Sequence, residues 1–301
     1  MKPSIVVAGS SNTDMVIKTS RLPEPGETIL GGTFFMNAGG KGANQAVAAA
    51  RLNGNVTFIA KTGNDIFGKE AIQLFAKEGM HTGYVFTDPV QPSGVALITV
   101  DDNGENCITV APGANALLLP ADIEQSWKAI EQAAIILVQL EIPVETIQAL
   151  ANMAAQKNIP LVLNPAPAQT LPDELLKMVS IITPNQKETE MLTGITVINM
   201  ATAEQAAQQL HNKGIETIII TMGSQGAFVY HNNESLLIPA PEVKAIDTTA
   251  AGDIFNGALV VALAEGMTMH KAVTFACNAA AISVTRLGAQ ASAPYRNEVM
   301  N

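Results

Sequence analysis

The sequence predicts an α/β protein of three layers (α/β/α), with a central, mainly parallel β-sheet between helices and a small β-sheet lid. Short β-branched runs alternate with alanine-rich amphipathic stretches along nearly the whole chain, a pattern typical of parallel sheets covered by helices on both faces. Two segments, 13–38 and 94–110, are strand-like but lack a crossover helix. We therefore expect them to leave the main sheet and to pack together as the lid.

Length and composition limit the possible functions. We expect the 301 residues to form one domain, because no linker, repeat or low-complexity tract divides them. A net charge of −10 disfavours nucleic-acid partners, and the apolar runs are too short to cross a membrane. Cys107 and Cys277 form no CxxC pair, so we expect buried free thiols in a cytoplasmic protein without a cleavable leader. The four histidines show no metal-binding spacing.

The elements follow one another in regular alternation. Strands are predicted at 4–9, 56–60, 134–140, 159–164, 180–184 and 217–223. Helices are predicted at 42–54, 67–79, 143–157, 172–178, 202–213, 251–265 and 269–285. The first two helices run into glycines, which predicts glycine C-caps. Within the second insertion, the residues Asp101–Gly104 predict the turn of a hairpin.

Two nucleotide-binding motifs are nearly matched but fail. “GNDIFGKE” (63–70) has the spacing of a P-loop, but Glu70 stands where a hydroxyl must hold Mg²⁺. We interpret Glu70 as an acid in a first helical turn that complements the helix dipole. The segment “AGSSNTD” after the first strand lacks the glycine fingerprint of dinucleotide-binding proteins. This weakens the hypothesis of a nicotinamide oxidoreductase.

Two segments near the start of the chain could bind a polar ligand. In “NAGGKGANQAVAAA” (37–50), glycines and Lys41 precede a helix, so backbone can approach a ligand and Asn44 can point back at it. A tight loop with a solvated lysine is the alternative. In “SSNTD” (10–14), Asn12 and Asp14 follow a strand and could hold sugar hydroxyls. On this second segment alone, a plain polar turn is the favoured alternative.

Three further segments end predicted strands with polar residues. Asn185 and Glu188 in “TPNQKETEML” match a capping box, which we favour locally over a site for Mg²⁺ and phosphate. The segment “TMGSQGAFVY” (221–230) reads as a β-turn between strands unless a nucleotide binds elsewhere. Glu141 and Asn164 stand at the ends of two more strands.

The stretch “DTTAAGDIFNGAL” (247–259) opens a helix with almost no side-chain bulk. Residues 250–252 would offer free N–H groups at a helix N-terminus, where the dipole favours anions. Asp253 would then lie within reach of an attacking hydroxyl as a general base. An ordinary acid in a first turn would explain Asp253, but not the neighbouring glycine, which is costly in a helix.

“NAGGKGANQAVAAARL” and “DTTAAGDIFNGAL” closely resemble the two signatures of the PfkB carbohydrate-kinase family, and similarity extends from “VVAGSSNTD” to “VTRLGAQASAP” (284–294). The resemblance implies a central mostly parallel sheet flanked by helices, with a β lid that often serves as a dimer interface. It also implies an ATP-dependent sugar kinase that uses Mg²⁺ and a K⁺-like cation, acts on a small-molecule sugar and forms a homodimer through the lid.

The resemblance assigns roles by position. Asp253 resembles the catalytic base, and the anion hole matches Ala250, Ala251 and Gly252. The matching sugar contacts are Asn12, Asp14, Gly40, Lys41, Asn44, Glu141 and Asp253. The matching nucleotide contacts are Asn185, Thr221, Gly223, Gly226, Gly252 and Asn278, with Glu188 on the magnesium side. The matching monovalent-cation positions are Asp247, Thr249, Ser283, Arg286, Gly288 and Ser292. Ile254 stands where this signature usually has threonine.

The charge of the two insertions bears on the acceptor. They contain only Lys18 and Arg21 across 13–38 and no Lys or Arg across 94–110, whereas a phosphorylated sugar would need cations over its phosphate. This favours a neutral sugar, and with the resemblance it predicts phosphorylation of D-ribose at O5. Deoxyribose or a nucleoside is the alternative acceptor, and a sugar-binding regulator on the same fold is the non-enzymatic alternative.

Overall fold

A computed structural model of the protein, which describes residues 2–300, has a nine-stranded central sheet. Its strand order is β13-β12-β11-β10-β9-β8-β1-β4-β5, and all neighbours are parallel except at the β11-β12-β13 edge. These strands are β1 (Ser4–Ala8), β4 (Asn55–Gly63), β5 (His81–Asp88), β8 (Ala133–Gln139), β9 (Leu161–Asn164), β10 (Ile181–Ile182), β11 (Thr217–Thr221), β12 (Ala227–His231) and β13 (Glu234–Ile238).

Helices cover both faces of this sheet, as predicted. The helices are α1 (Lys41–Arg51), α2 (Ile66–Lys77), α3 (Pro120–Gln125), α4 (Trp127–Ile130), α5 (Val144–Gln156), α6 (Asp173–Leu176), α7 (Gln186–Thr193), α8 (Met200–Asn212), α9 (Ala251–Ala264), α10 (Met269–Ser283) and α11 (Arg296–Val299). One apolar core packs α1, α2, α9 and α10 against the sheet, and a second packs α3 to α6 and α8 against the opposite face. The three-layer α/β/α class is therefore confirmed.

A second, four-stranded sheet contains β2 (Asn12–Lys18), β3 (Thr33–Gly39), β6 (Gly94–Val100) and β7 (Asn106–Ala111). Its order is β3-β2-β6-β7, and β2 pairs with β6 in parallel although the two strands are distant in sequence. At the hairpin turn, Asp101 Oδ1 accepts hydrogen bonds from the N–H groups of Asn103 and Glu105. The hairpin therefore forms where its turn residues predict it.

Close contacts at glycines bring α1 against β1 and α9. A Cβ added to Gly42, in the first turn of α1, would lie 2.5 Å from the backbone of Gly9 and of Ser10. A Cβ added to Gly257, in the middle of α9, would lie 2.6 Å from the carbonyl oxygen of Gln45. Without these side chains the backbones approach closely. The start of α1 is consequently held against the end of β1, and its middle against the middle of α9.

Several details differ from the sequence predictions. Helix α1 ends at Arg51, and Asn53 rather than a glycine takes the left-handed conformation after it (φ 68°). Strand β10 has only two residues, because Pro184 has no N–H with which to continue the ladder. Glu70 lies beyond the first turn of α2, where Asp65 caps the helix by accepting from the Gly68 N–H at 2.8 Å.

The cysteines divide between surface and core. Cys277 is buried, as expected, and burial raises its thiol pKa to about 11. Cys107 is exposed, so the expectation of a buried thiol was wrong there. It lies on β7, an edge strand of the small sheet whose residues are all exposed. Within residues 2–300, no helix is both long and apolar enough to span a membrane.

Candidate active site

A cavity of about 170 Å³ lies at the carboxyl ends of the central strands, beside the starts of α7 and α9. This is the edge at which open α/β sheets bind ligands. It brings together predicted residues from four separate parts of the chain. The predicted residues that line it are Lys41, Asn185, Glu188, Thr221, Ala250, Ala251, Gly252 and Asp253.

Helix α9 begins without a side-chain cap. Ala250 is left-handed (φ 59°), and a Cβ added to Gly252 would meet nothing within 4 Å. Among residues 2–300, the N–H groups of Ala250, Gly252 and Asp253 have no acceptor, while that of Ala251 donates to Thr248 O at 3.3 Å. The turn thus presents uncovered donors to the cavity, and the dipole of a 14-residue helix favours an anion there.

Asp253 is buried beneath this turn, with 6% of its surface exposed. Its Oδ2 accepts from Asn44 Nδ2 and its Oδ1 accepts from Gln45 Nε2, both at 2.9 Å. Burial raises the pKa of Asp253, and the charge of Glu141 adds to this, whereas Lys41 and the two amides oppose it. The carboxyl is therefore a stronger base than an exposed aspartate, as proton abstraction requires.

Lys41 is the cation at the centre of an acidic site. Burial by itself would lower the pKa of its ammonium group, but neighbouring carboxylates outweigh burial and raise it above its ordinary value. These carboxylates, in order of effect, are Asp253, Glu141, Glu188 and Asp14. Lys41 therefore stays protonated. Its ammonium group can bind a phosphate or stabilise negative charge that develops on a reacting oxygen.

The predicted sugar-binding residues lie next to Lys41 in the fold. Glu141 Oε2 accepts from Ser10 Oγ at 2.5 Å and from the Lys41 N–H at 3.0 Å. Asn12 Oδ1 accepts from Asn115 Nδ2 at 2.7 Å. Gly40 has a positive φ of 88°, and a Cβ there would lie 2.7 Å from the Asn12 nitrogen. These contacts join the end of β1, the start of α1 and the end of β8.

Asp14 is a second carboxyl with a strongly altered pKa. Burial, the charge of Glu141 and the charge of Asp253 together raise its pKa to about 6, against the opposing effect of Lys41. A Cβ on Gly39 would lie within 2.3 Å of the Asp14 carboxylate, so a glycine at this position leaves space for the carboxylate. Carboxyls with such altered pKa values often mark functional sites.

On the opposite side of the cavity, Asn185 and Glu188 form the predicted capping box. The Glu188 N–H donates to Asn185 Oδ1, and the Asn185 N–H donates to Glu188 Oε2, both at 2.8 Å. Asn185 Nδ2 also donates to Glu188 Oε1 at 2.8 Å. Burial raises the pKa of Glu188, and Asp253 adds to the rise, although the Asn185 N–H and Lys41 oppose it. The cap fixes the carboxylate at the cavity wall, so capping and ligand binding are compatible.

Some predicted nucleotide contacts lie outside the cavity lining. Gly223 and Gly226 flank the turn between β11 and β12, both with positive φ. A Cβ on Gly226 would lie 2.0 Å from Ile238 O, so this glycine is required by the backbone alone. Asn278 is half-buried on α10 and does not line the cavity.

Two of the predicted monovalent-cation residues, Thr249 and Gly288, bind the carboxylate of Asp247. Its carboxylate accepts from the Thr249 N–H through Oδ1 and from the Gly288 N–H through Oδ2, both at 2.9 Å. These bonds outweigh burial and lower the pKa of Asp247. Ser283 and Ser292 turn their hydroxyls to local carbonyls, and Arg286 pairs with Glu298. Side-chain ligands are thus few, and backbone carbonyls would have to hold a cation.

The positions of the carboxylates show whether the cavity could bind Mg²⁺. No group of three or more His, Cys, Asp or Glu residues in the described chain could hold a metal by itself. Mg²⁺ commonly takes one or two carboxylates and completes its shell with water and substrate phosphates. Glu188 on the cavity wall matches that requirement. The site therefore fits a magnesium ion that arrives with a phosphate ligand.

Sequence reasoning missed two residues that organise the site. Gln45 binds Asp253 directly. Asn115 donates to Asn12 and to Ser11 O, and accepts from the Ser11 N–H at 2.9 Å. Asn115 stands 104 residues after Ser11, and no local pattern reveals such a pairing. Gln45 lies inside the quoted glycine motif, directly after Asn44.

Comparison with known proteins gives consistent results. The family model described as pfkB family carbohydrate kinase matches residues 2–296. A ribokinase from Haemophilus influenzae is 46% identical, covering 100% of this chain and 98% of that protein. A deoxyribokinase from Salmonella typhi is 38% identical, covering 96% and 95%. The structure of Arabidopsis thaliana ribokinase complexed with ribose and ATP has a TM-score of 0.95 and 32% identity, covering 100% of this chain and 98% of that one.

Proposed function

The chain belongs to the pfkB family of carbohydrate kinases, and from this premise we propose that it transfers the γ-phosphoryl group of ATP to the 5-hydroxyl of D-ribose. The observation that carries the reaction type is the pairing of a buried general base, Asp253, with an uncapped helix start at the same cavity. The similarity to ribokinases over the full chain supports ribose as the acceptor.

In the proposed mechanism, Asp253 accepts the proton of the 5-hydroxyl as that oxygen attacks the γ-phosphorus in line. Negative charge develops on the transferring phosphoryl group. The free N–H groups of Gly252 and of its neighbours at the start of α9 stabilise that charge, and the Lys41 ammonium contributes from the other side. The new O5–phosphorus bond forms as the bond between the γ-phosphorus and the β,γ-bridging oxygen breaks, and ADP leaves with that oxygen. The proton stays on Asp253 until the products depart.

The sugar is held by the residues around Lys41. The carboxylates of Asp14 and Glu141 accept hydrogen bonds from sugar hydroxyls, and the amides of Asn12 and Asn44 can do both. Asn44 Oδ1 is buried without a partner, so a sugar hydroxyl would satisfy it. Glycine at position 40 lets the start of α1 pack against the backbone of Ser11 and Asn12. Arg21 pairs with Glu27 on the surface, which agrees with a neutral acceptor.

The nucleotide occupies the side formed by α7 and the β11–β12 turn. Asn185 and Thr221 line the cavity there and are bridged to one another. Glu188 would hold a magnesium ion that supplies charge neutralisation at the phosphates. Residues 247–249 and 283–292 would hold K⁺ near the anion hole. Gly223, Gly226 and Asn278 would contact the nucleotide beyond the cavity.

We propose that the small sheet closes over the sugar as a lid and also forms a homodimer interface. Its pairing places Met15, Ile17, Phe34, Met36 and Leu97 on the face opposite Asp14. Four of these side chains are more than 40% exposed, and an apolar face of this kind is typical of protein interfaces. Sedimentation velocity should therefore show a dimer.

The test of the proposed activity is ADP release from ATP and Mg²⁺ with a panel of neutral pentoses, hexoses and nucleosides, with and without K⁺. We expect D-ribose to give the highest kcat/KM and K⁺ to increase it. The similarity to a deoxyribokinase makes deoxyribose the second candidate. If deoxyribose or a nucleoside gave a higher kcat/KM than ribose, that compound would replace ribose as the proposed acceptor. Sugar binding without ADP release would support the regulator alternative, and NAD binding an oxidoreductase.

The pKa of Asp14 predicts how ribose binding depends on pH. Because its pKa is about 6, Asp14 is a carboxylate above that pH and loses an acceptor site when it is protonated below it. We expect KM for ribose to rise several-fold as pH falls from about 8 to about 5. Asp14→Asn should show a raised KM that stays flat across this interval. A wild-type KM that does not change with pH would contradict a role for Asp14 in sugar binding.

A further inference from the structure

A continuous row of buried polar side chains lies behind Asp253. Gln139 Nε2 donates to Gln45 Oε1 at 2.5 Å, and Gln45 Nε2 donates both to Asp253 Oδ1 at 2.9 Å and to Asn164 Oδ1 at 3.0 Å. Asn164 Nδ2 then donates to the backbone carbonyl of Thr183 at 3.1 Å. Gln45 and Gln139 are completely buried.

The direction of these hydrogen bonds is fixed by the backbone. The Thr183 carbonyl can only accept, so the Asn164 amide must turn its nitrogen to it and its oxygen to Gln45. Gln45 therefore presents its nitrogen to Asn164, and its second N–H points at Asp253. Its oxygen is occupied by Gln139. Gln45 can donate to Asp253 but cannot accept from it.

This one-way donation suits an ionised carboxylate. A protonated Asp253 would accept only a weaker hydrogen bond from this N–H at its neutral carbonyl oxygen, whereas the carboxylate accepts a stronger, charge-assisted one at Oδ1. Asn44 differs, because its buried Oδ1 has no partner among the described residues, and the proposed function pairs it with a sugar hydroxyl. The two adjacent amides thus have different proposed roles. Asn44 contacts both the base and the sugar, whereas Gln45 contacts only the base.

We propose that Gln45 is a positioning residue that holds Asp253 ionised and correctly oriented for proton abstraction, without touching the substrate. The proposal rests on the proposed function, in which Asp253 is the base. Other charged groups also face Asp253 and contribute to its protonation. They are Lys41 from α1, Glu141 after β8, Glu188 from α7 and Asp14 from β2. None of them changes when Gln45 is replaced.

Gln45→Met tests the proposal, because methionine has nearly the same length and no donor. We expect the acidic limb of the kcat profile to move up by about one pH unit. At pH values below that limb, kcat of Gln45→Met should be about tenfold lower than kcat of wild type. The difference should shrink at high pH, where Asp253 is ionised in both proteins. KM for ATP should stay within about threefold, because Gln45 does not line the cavity.

Thr146→Val is the matched control. Thr146 is fully buried and donates its hydroxyl to Leu118 O at 2.6 Å, outside the cavity lining. It should lower thermal stability as Gln45→Met does, but leave the pH profile unchanged. If Gln45→Met lowered kcat equally at every pH, Gln45 would be only a packing residue and the proposal would be wrong.

Gln45→Glu is the second variant, in case the methionine variant does not fold. It keeps the shape of glutamine and places a second carboxyl against Asp253, which also raises the pKa of the base. An acidic limb that stays at the wild-type pH in a folded Gln45→Glu protein would overturn the proposal.

A measurement without turnover separates this proposal from the proposed function. The carboxyl ¹³C signal of Asp253, assigned by its loss in Asp253→Asn, reports the protonation of this group directly. We expect its titration midpoint to be higher in Gln45→Met than in wild type. An upward movement in a protein that does not phosphorylate ribose would retain the contact and reject the activity. An unchanged midpoint in a protein that phosphorylates ribose normally would reject the role of Gln45 and retain the proposed activity.

Discussion

Replacing Asp253 by asparagine is expected to lower kcat at least about 10²-fold, because the reaction loses its general base. Asparagine has the size of aspartate and can still accept from Asn44 or Gln45, so the fold should remain intact. ADP release with ribose measures the loss, and circular dichroism checks the fold. KM for ribose and ATP should change much less than kcat, as expected when an interaction acts in the transition state.

Asp101→Asn is the control for this substitution. Asp101 is also a buried acid, but it serves the hairpin turn and does not line the cavity. Both backbone donors bind its Oδ1, which asparagine retains. The kcat of Asp101→Asn should equal that of wild type. A normal kcat in Asp253→Asn would remove Asp253 from the mechanism and leave only the helix start and Lys41 to explain catalysis.

Gly42→Ala is expected to have the second large effect. Its methyl group would lie 2.5 Å from the backbone of Gly9 and of Ser10, and neither can rotate away. We expect the free energy of unfolding to fall by about 1–3 kcal/mol, as for other overpacked sites. Because α1 carries Lys41 and Asn44, kcat/KM should also fall about 10²-fold, as for a displacement near 1 Å.

Gly83→Ala is the matched control, since a Cβ there would meet nothing within 4 Å and its φ is not positive. It makes the same chemical change on β5 and should leave both stability and kcat/KM nearly unchanged. Urea unfolding and ADP release measure the two quantities. If both alanine variants had wild-type stability and wild-type kcat/KM, β1 and α1 could move apart without loss of either, and the prediction for Gly42 would be wrong.

Most of the fold could be predicted because its long elements carry clear apolar spacing. The missed elements lack that signal. Helices α3 and α4 have six and four residues, too few for a helical period. Strand β5 contains Gly83 in its first half, and none of its residues is fully buried. Strand β13 belongs to an antiparallel edge that the parallel pattern does not imply.

The site was predictable only as far as its residues lie in local motifs. Asp253 and Lys41 stand in glycine-rich helix starts that are visible in the sequence. The partners that tune them come from elsewhere. Asp253 accepts one of its two side-chain hydrogen bonds from Gln45, 208 residues away, and Gln45 in turn accepts one from Gln139, 94 residues away. Such pairs depend on tertiary packing, which no spacing rule describes.

The small sheet has one further consequence. Its parallel β2–β6 pair joins two remote segments into a unit that carries Asn12 and Asp14, while Asp253 and the helix start belong to the large sheet's layer. Two of the proposed acceptor contacts, Asn12 and Asp14, therefore lie in a different sheet from the proposed base, whereas Lys41, Asn44 and Glu141 lie with the large sheet. Under the proposed function, changes confined to the small sheet would alter part of the set of acceptor contacts while the start of α9 keeps its sequence.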